Sequence, residues 1–294
     1  MEKRELQVSV AILTWNRRQD VIRAIESVLH QTYLPVEIVV VDSASTDDTV
    51  EAIEAKYPKI QVIRLHRNLG CPEGRNVALA NCKGDIIFAL DDDGWLEPNT
   101  LAVCVEKFRQ NEKVAVVACR ILAPDQKKDG LKMDEVAETF SGGACAIRKE
   151  ALAKVGYYPS DFFRQAEEID LGLRLIDKGY EILSCSEAVM YHEPSPVNRN
   201  FKLFMYYQSR NELYTVLRRY PWYLVLPMVA QKLISWGYLG MRKGVLWYTL
   251  MGAASVIPKI PHLLMHRSPV SFETMRFLLT LKARRRRMHA SRAD

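Results

Sequence analysis

The six cysteines, at 71, 82, 104, 119, 145 and 185, include no C-x-x-C pair. That spacing excludes a zinc ribbon and a disulfide framework, and predicts reduced, mostly buried thiols. No G-x-G-x-x-G follows the first apolar run, and there is no G-x-x-x-x-G-K-[ST] loop. A dinucleotide oxidoreductase and a P-loop enzyme therefore lose their main support. Met1 to Leu6 lead into a short apolar run without the small residues of a signal cleavage site, so a cytoplasmic compartment is expected. Acid is scarce towards the C-terminus. Residues 201–294 hold 3 Asp+Glu against 16 Lys+Arg, whereas residues 1–200 hold 32 against 25. The net charge of +6 hides a balance of −7 in front and +13 behind, which predicts two regions, 1–200 and 201–294, with different surroundings. An unbroken spanning run is also missing. Tyr220 to Met241 has Lys232 as its one charge, but Pro227 interrupts it, and the uncharged Gly244 to Pro258 is only 15 residues long.

With 294 residues, 48% of them hydrophobic, there is enough material for a large core, and wholesale disorder is excluded. Val8–Leu13, Val36–Val41, Ile60–Leu65, Asp85–Leu90 and Val114–Ala118 read as strands. Between them, Asp20–Leu29, a segment from Val50 to Ala55, Gly74–Asn81 and Asn99–Gln110 read as helices. Ser45-Thr46-Asp47-Asp48 predicts a capping box ahead of the second helix. Regular alternation predicts an α/β fold with a mostly parallel sheet flanked by helices. Ligands in such sheets bind beyond the carboxyl ends of the strands.

Polar residues follow the apolar runs at those ends. Thr14-Trp15-Asn16-Arg17 follows the first, Asp42-Ser43-Ala44-Ser45 the second and Asp91-Asp92-Asp93-Gly94 the fourth. Three adjacent carboxylates repel, and a cation is the usual way to keep them ionised together. Their oxygens suit Mg²⁺ or Mn²⁺; the plain alternative is a solvated acidic turn. Asp42 either accepts hydrogen bonds from a nucleotide or caps the next helix. Trp15 is either packing or a stacking platform. Acids at Glu167, Glu168 and Asp170 open an amphipathic helix and suit its dipole, whether or not one faces a cleft.

Taken in order, these pieces have a family likeness. Val10-Ala11-Ile12-Leu13-Thr14-Trp15-Asn16-Arg17, Ile38-Val39-Val40-Val41-Asp42-Ser43-Ala44-Ser45, Arg67-Asn68-Leu69-Gly70 and Gly74-Arg75-Asn76 open the series. Phe88-Ala89-Leu90-Asp91-Asp92-Asp93, Ser141-Gly142-Gly143, Glu167-Glu168-Ile169-Asp170-Leu171-Gly172-Leu173-Arg174 and Tyr191-His192 continue it. The series resembles the family 2 glycosyltransferases of GT-A fold over about residues 7–195. The resemblance implies that Thr14 and Asn16 contact base and ribose, that Asp42 accepts from a uracil-type ring, and that Arg75 helps hold the nucleotide. It implies Asp92 on the ribose and diphosphate side, Asp91 as a third acidic member, and Asp93 as ligand to a Mg²⁺ or Mn²⁺ ion. His192 completes the metal shell, touches the diphosphate, or is a structural histidine. Members of this type carry Glu-Asp where Glu167-Glu168 stands here, and the second acid is their catalytic base. Glu168 is therefore the expected base, one methylene longer, with Glu167 as the alternative. Gly142 and Gly143 either let backbone approach a sugar or mark a bulge.

One base without a nucleophile predicts inversion, with a metal ion offsetting charge on the leaving diphosphate. The rear region reads as basic, aromatic helices lying on an anionic membrane surface, with Trp222, Trp236 and Trp247 inserted and Arg284 to Arg287 as an electrostatic anchor. A boundary is expected at Glu193 to Asn198. The reading is an inverting, metal-dependent transferase at the cytoplasmic face of the membrane, using a nucleotide sugar (a UDP-sugar first) and a glycan or lipid-linked acceptor. A dTDP-rhamnose user and a non-catalytic nucleotide-binding scaffold are the alternatives. No nucleic-acid partner is expected, because the Arg run follows an apolar aromatic stretch.

Overall fold

The computed structural model describes residues 5–126, 133–193 and 200–290, with side chains as far as Arg284. Its strands are β1 Val8–Thr14, β2 Glu37–Asp42, β3 Gln61–Arg64, β4 Ile86–Asp91, β5 Gly94–Leu96, β6 Val114–Leu122, β7 Glu135–Ala137, β8 Ala144–Arg148 and β9 Glu181–His192. Its front helices are α1 Arg18–Leu29, α2 Thr49–Lys56, α3 Cys71–Asn81, α4 Thr100–Gln110, α5 Lys149–Val155 and α6 Glu167–Asp177. Behind them come α7 Phe201–Arg219, α8 Trp222–Arg242, α9 Leu246–Ala254, α10 Ile260–Met265 and α11 Phe272–Ala290.

The strands form one sheet in the order β3-β2-β1-β4-β8-β6-β9-β5, with β7 also paired to β9. Its first four strands are parallel, as the alternation of strand and helix requires. Beyond β4 the sheet becomes mixed, because β8 runs antiparallel to both neighbours. Parallel neighbours need a crossover, and among the described residues no helix joins β6 to β8. The two faces follow the period of two. Val8, Val10 and Ile12 of β1 pack with Ile25 of α1 and Phe108 of α4, while Ala11 joins Leu79 of α3 on the opposite side.

The expected capping box does not form. Ser45 Oγ accepts instead from the Asn16 amide at 2.8 Å, and Asp48 enters α2 with φ 57 and no side-chain cap. All six cysteines are thiols, four of them buried.

Except for Glu193, the boundary expected at 193–198 falls outside the described residues. Side chains on either side of it share one core: Val216, Tyr220, Val225, Met275 and Leu278 cluster with Leu171, Leu175 and Ile182. Asn200 caps α7 by accepting from the amides of Lys202 and Leu203. Among the described residues no helix is long and apolar enough to cross a membrane. Trp222 and Trp247 are largely exposed, as are Leu226 and Ile234. Trp236 differs from the expectation that it inserts in lipid: it is half-buried and donates to Glu212 Oε2 at 2.9 Å. Lys232, the one charge of that run, pairs with the same oxygen at 2.6 Å. A buried carboxylate on the neighbouring helix thus claims both side chains.

Candidate active site

Strand register assembles the site. Thr14 lies opposite Asp42, and Leu13 opposite Asp91, so the ends of β1, β2 and β4 stand side by side. Asp92 and Asp93 form the reversal between β4 and β5, and β5 then pairs with β9 so that Gly94 faces His192. The acidic run is therefore a tight strand connection and not a solvated turn ahead of α4.

One corner of the site is at β1 and β2. Asp42 is buried; its Oδ2 accepts from the Ser45 amide at 2.9 Å, and its Oδ1 is buried with no partner. An orphaned carboxylate oxygen is costly and suits an incoming N–H donor. Asn16, at φ 54, uses its side-chain carbonyl to accept from the Thr46 amide at 2.7 Å, so it ties the two strand-end loops together. The Thr14 hydroxyl sits against Asp92, close enough to favour its ionised form but outside good hydrogen-bond geometry.

Neighbouring aspartates have opposite environments. Burial pushes Asp92 up to about 7, although the Arg17 charge and the Thr14 hydroxyl oppose it. Burial works on Asp93 too, but its contacts with His192 and Arg17 win and hold it at about 2. His192 Nε2 is 3.0 Å from Asp93 Oδ1, and Arg17 donates to Oδ2 at 2.7 Å. Arg17 also lies 3.7 Å from Asp92. Arginines thus supply part of the cationic charge that the acidic run demands, Arg17 for two members and Arg75 for the third. Arg17 has a role that no motif assigns to it; its signal in the sequence is a cation at one strand end facing acids at another. A carboxylate whose ionised form is favoured by its cationic neighbours, beside an imidazole, is a donor set of the kind that Mg²⁺ or, better, Mn²⁺ takes.

The second acidic group opens α6. Arg75, on α3, donates to Asp91 Oδ1 at 2.6 Å and to Glu167 Oε1 at 3.2 Å, and lies 3.7 Å from Glu168. It therefore sits among carboxylates, joining the acidic run to the α6 pair. Glu167 is buried with its Oε2 unpartnered, and burial beside Glu168 raises it to about 8. Glu168 accepts from the Gly142 amide at 3.0 Å and is also raised, chiefly by burial. Gly143 has a packing reason: a Cβ there would lie 1.9 Å from the Asp91 carboxyl carbon. The glycine pair thus brings backbone against acidic side chains. Trp15, just after the end of β1, is partly exposed.

Sequence patterns did not flag the turn before α6. Gln165 and Ala166 are consecutive non-glycine residues at φ 70 and 65, a conformation costing on the order of 1–3 kcal/mol each. Nor did they flag Asn211 of α7, whose Nδ2 donates to the carbonyls of Arg164 and Gln165 at 2.7 and 2.8 Å.

The chain is similar to several known proteins. The model of the family described as glycosyl transferase family 2 matches residues 9–164. Chondroitin synthase of Escherichia coli is 34% identical over 118 residues, 39% of this chain and 17% of that protein. Glucosyl-dolichyl phosphate glucuronosyltransferase of Haloferax volcanii is 24% identical over 234 residues, 68% of this chain and 71% of that one. The chain thus spans under a fifth of the first relative's length. Among solved structures, GalNAc-T7 with UDP, GalNAc and Mn²⁺ superposes with TM-score 0.63 at 17% identity, covering 76% of this chain and 49% of that one. A mannosyltransferase from Pyrobaculum calidifontis, in complex with GDP-Man and Mn²⁺, gives 0.59 at 20% identity, covering 95% and 80%. These likenesses make the fold GT-A type.

Proposed function

We propose that this chain, which belongs to glycosyl transferase family 2, transfers a sugar from a nucleotide diphosphate donor to an acceptor hydroxyl with inversion and divalent-metal dependence. One observation carries the reading: two acidic groups, Asp91-Asp92-Asp93 and Glu167-Glu168, are joined through Arg75 at the carboxyl ends of the strands. A nucleotide sugar needs positive charge at its diphosphate and a proton acceptor on the opposite face of the anomeric carbon.

Residue roles follow from chemistry. The unpartnered Asp42 oxygen accepts an N–H from the base, as the imide of uracil offers, which favours a UDP-sugar. Thr14 and Asn16 line the same corner, and Asp92 faces the ribose and diphosphate. Asp93 and His192 would hold the divalent ion, which supplies Lewis-acid compensation of the leaving group. Glu168, more exposed than Glu167, takes the acceptor proton, and Arg75 fixes the acidic side chains on both sides of the reacting carbon. With Glu168 as the proton acceptor and no covalent step given to any carboxylate, displacement is direct. The acceptor is a glycan or lipid-linked precursor met at the cytoplasmic face of a membrane. Support for that comes from the +13 balance of residues 201–294 and the exposed Trp222, Leu226, Ile234 and Trp247.

The test is nucleotide release from a panel of UDP-, GDP- and dTDP-linked sugars, dTDP-rhamnose included, with and without Mn²⁺. Turnover of one donor, lost in Asp93→Asn while the thermal midpoint is kept, is expected. Wild-type rates for Asp93→Asn at saturating Mn²⁺ would remove Asp93 from the chemistry. Nucleotide binding without any turnover would favour the non-catalytic alternative.

A further inference from the structure

We propose that Asn211, in the middle of α7, is a positioning residue for the Glu167–Glu168 pair, acting through the turn at 164–166. The proposal rests on the reading of that pair as the proton-accepting side of the site. Asn211 is fully buried. Its side-chain oxygen accepts from Arg210 Nε at 2.8 Å, which fixes the amide so that Nδ2 points at the turn. Both amide hydrogens are then spent on the carbonyls of Arg164 and Gln165, at 2.7 and 2.8 Å.

Those carbonyls belong to a turn that would not hold by itself. Gln165 and Ala166 are both left-handed, a state that side-chain-bearing residues leave when nothing restrains them. The next residue is Glu167, so any relaxation re-aims the first turn of α6 and both glutamates. The same segment is fastened elsewhere. Arg218 of α7 makes two bonds to the Asp161 carboxylate, at 2.9 and 2.6 Å, and Arg210 donates to the Asp161 carbonyl at 3.2 Å. From the opposite side the Cys71 amide donates to the Phe163 carbonyl at 2.9 Å. A Cβ on Gly70 would sit 2.1 Å from that same oxygen, so only glycine lets the head of α3 press so closely. Since α3 also carries Arg75, the turn lies between the helix that holds the arginine and the helix that holds the turn. Asn211 is the one side chain among these whose donors reach the carbonyls at 164 and 165.

Asn211→Asp keeps the shape and removes the donors, setting a carboxylate against two carbonyls. In the full chain, nucleotide release from the donor found active should fall by roughly 10²-fold, the scale of an ångström misplacement. UDP affinity in Mn²⁺, read by calorimetry, should stay at the wild-type value, because the Asp42 corner is untouched. Hydrogen exchange across 161–168 should speed up. Adding Ala166→Gly should restore most of the rate and slow the exchange again, since glycine holds a positive φ unaided. Asn211→Ser, smaller and able to donate one bond, should give an intermediate rate, and it serves if the Asp variant does not fold. Wild-type turnover in Asn211→Asp, or a loss that glycine at 166 leaves unchanged, would overturn the proposal in favour of simple packing. Glu167→Gln and Glu168→Gln are assayed alongside. If one of them abolishes turnover while Asn211→Asp does not, the positioning role fails and the reading of the pair stands. If neither does, that reading fails and takes the positioning role with it.

Discussion

Two neighbouring glutamates, one of them buried, disfavour each other's ionised form, and Arg75 brings one positive charge that they share with Asp91. Burial favours the neutral form of Glu167, which lies deeper and has an unpartnered oxygen. Glu168 is left to accept a proton. Glu168→Gln should therefore cut turnover by roughly 10²–10⁴-fold, measured as nucleotide release, while Glu167→Gln keeps much of the rate. The reverse order would exchange the two roles. Stability carries a second signature. Glu167 is raised from 4.5 to about 8 in the folded chain, so its contribution is complete below pH 4.5 and is lost as pH rises through about 8. Thermal midpoints taken from pH 5 to 9 should fall for the wild type and flatten in Glu167→Gln; parallel curves would remove Glu167 as the titrating group.

At the scale of elements, the strand ends were legible because a parallel sheet forces polar residues to follow apolar runs, and Thr14, Asp42 and Asp91 stand where that rule puts them. The short β5, β7 and β8 were not, since three to five residues carry too little periodicity to separate strand from loop. Trp236 and Lys232 misled for another reason: their partner, Glu212, lies on a different helix, and a pattern read along one segment cannot see it. The left-handed Gln165 and Ala166 have no composition signal, and the side chain that bonds the carbonyls of their turn, Asn211, lies far along the chain on α7. What α8 and α9 leave exposed makes its own prediction. The full chain should float with anionic vesicles, and salt should release only part of it, because charge attraction fades beyond roughly 10 Å at 0.1 M while inserted rings remain. Trp222→Ser with Trp247→Ser should convert partial release into complete release. Equal retention by neutral and anionic vesicles would dismiss the electrostatic component.

Across the whole molecule, α7 ties the basic helices to the catalytic sheet. Asp170, fully buried at the start of α6, is paired to Arg219 at 2.8 Å as well as to Arg174, and Asp161 depends on Arg218. Removing residues 201–294 would uncover Leu171 and Leu175 and leave the buried Asp170 with Arg174 alone, where losing one partner of a buried pair costs up to about 3–5 kcal/mol. A chain ending at residue 200 should therefore show no cooperative thermal transition in circular dichroism; a sharp melt would show that the front folds independently. Joining the two portions through a common core has a mechanical corollary. Formal charges of −7 and +13, carried by portions that pack together, give the particle a large permanent dipole moment. Near a negatively charged plane such a particle feels a torque before it feels contact, and it arrives already turned, basic end first. Its capture rate, and not only its residence time, should then decline steeply as ionic strength rises.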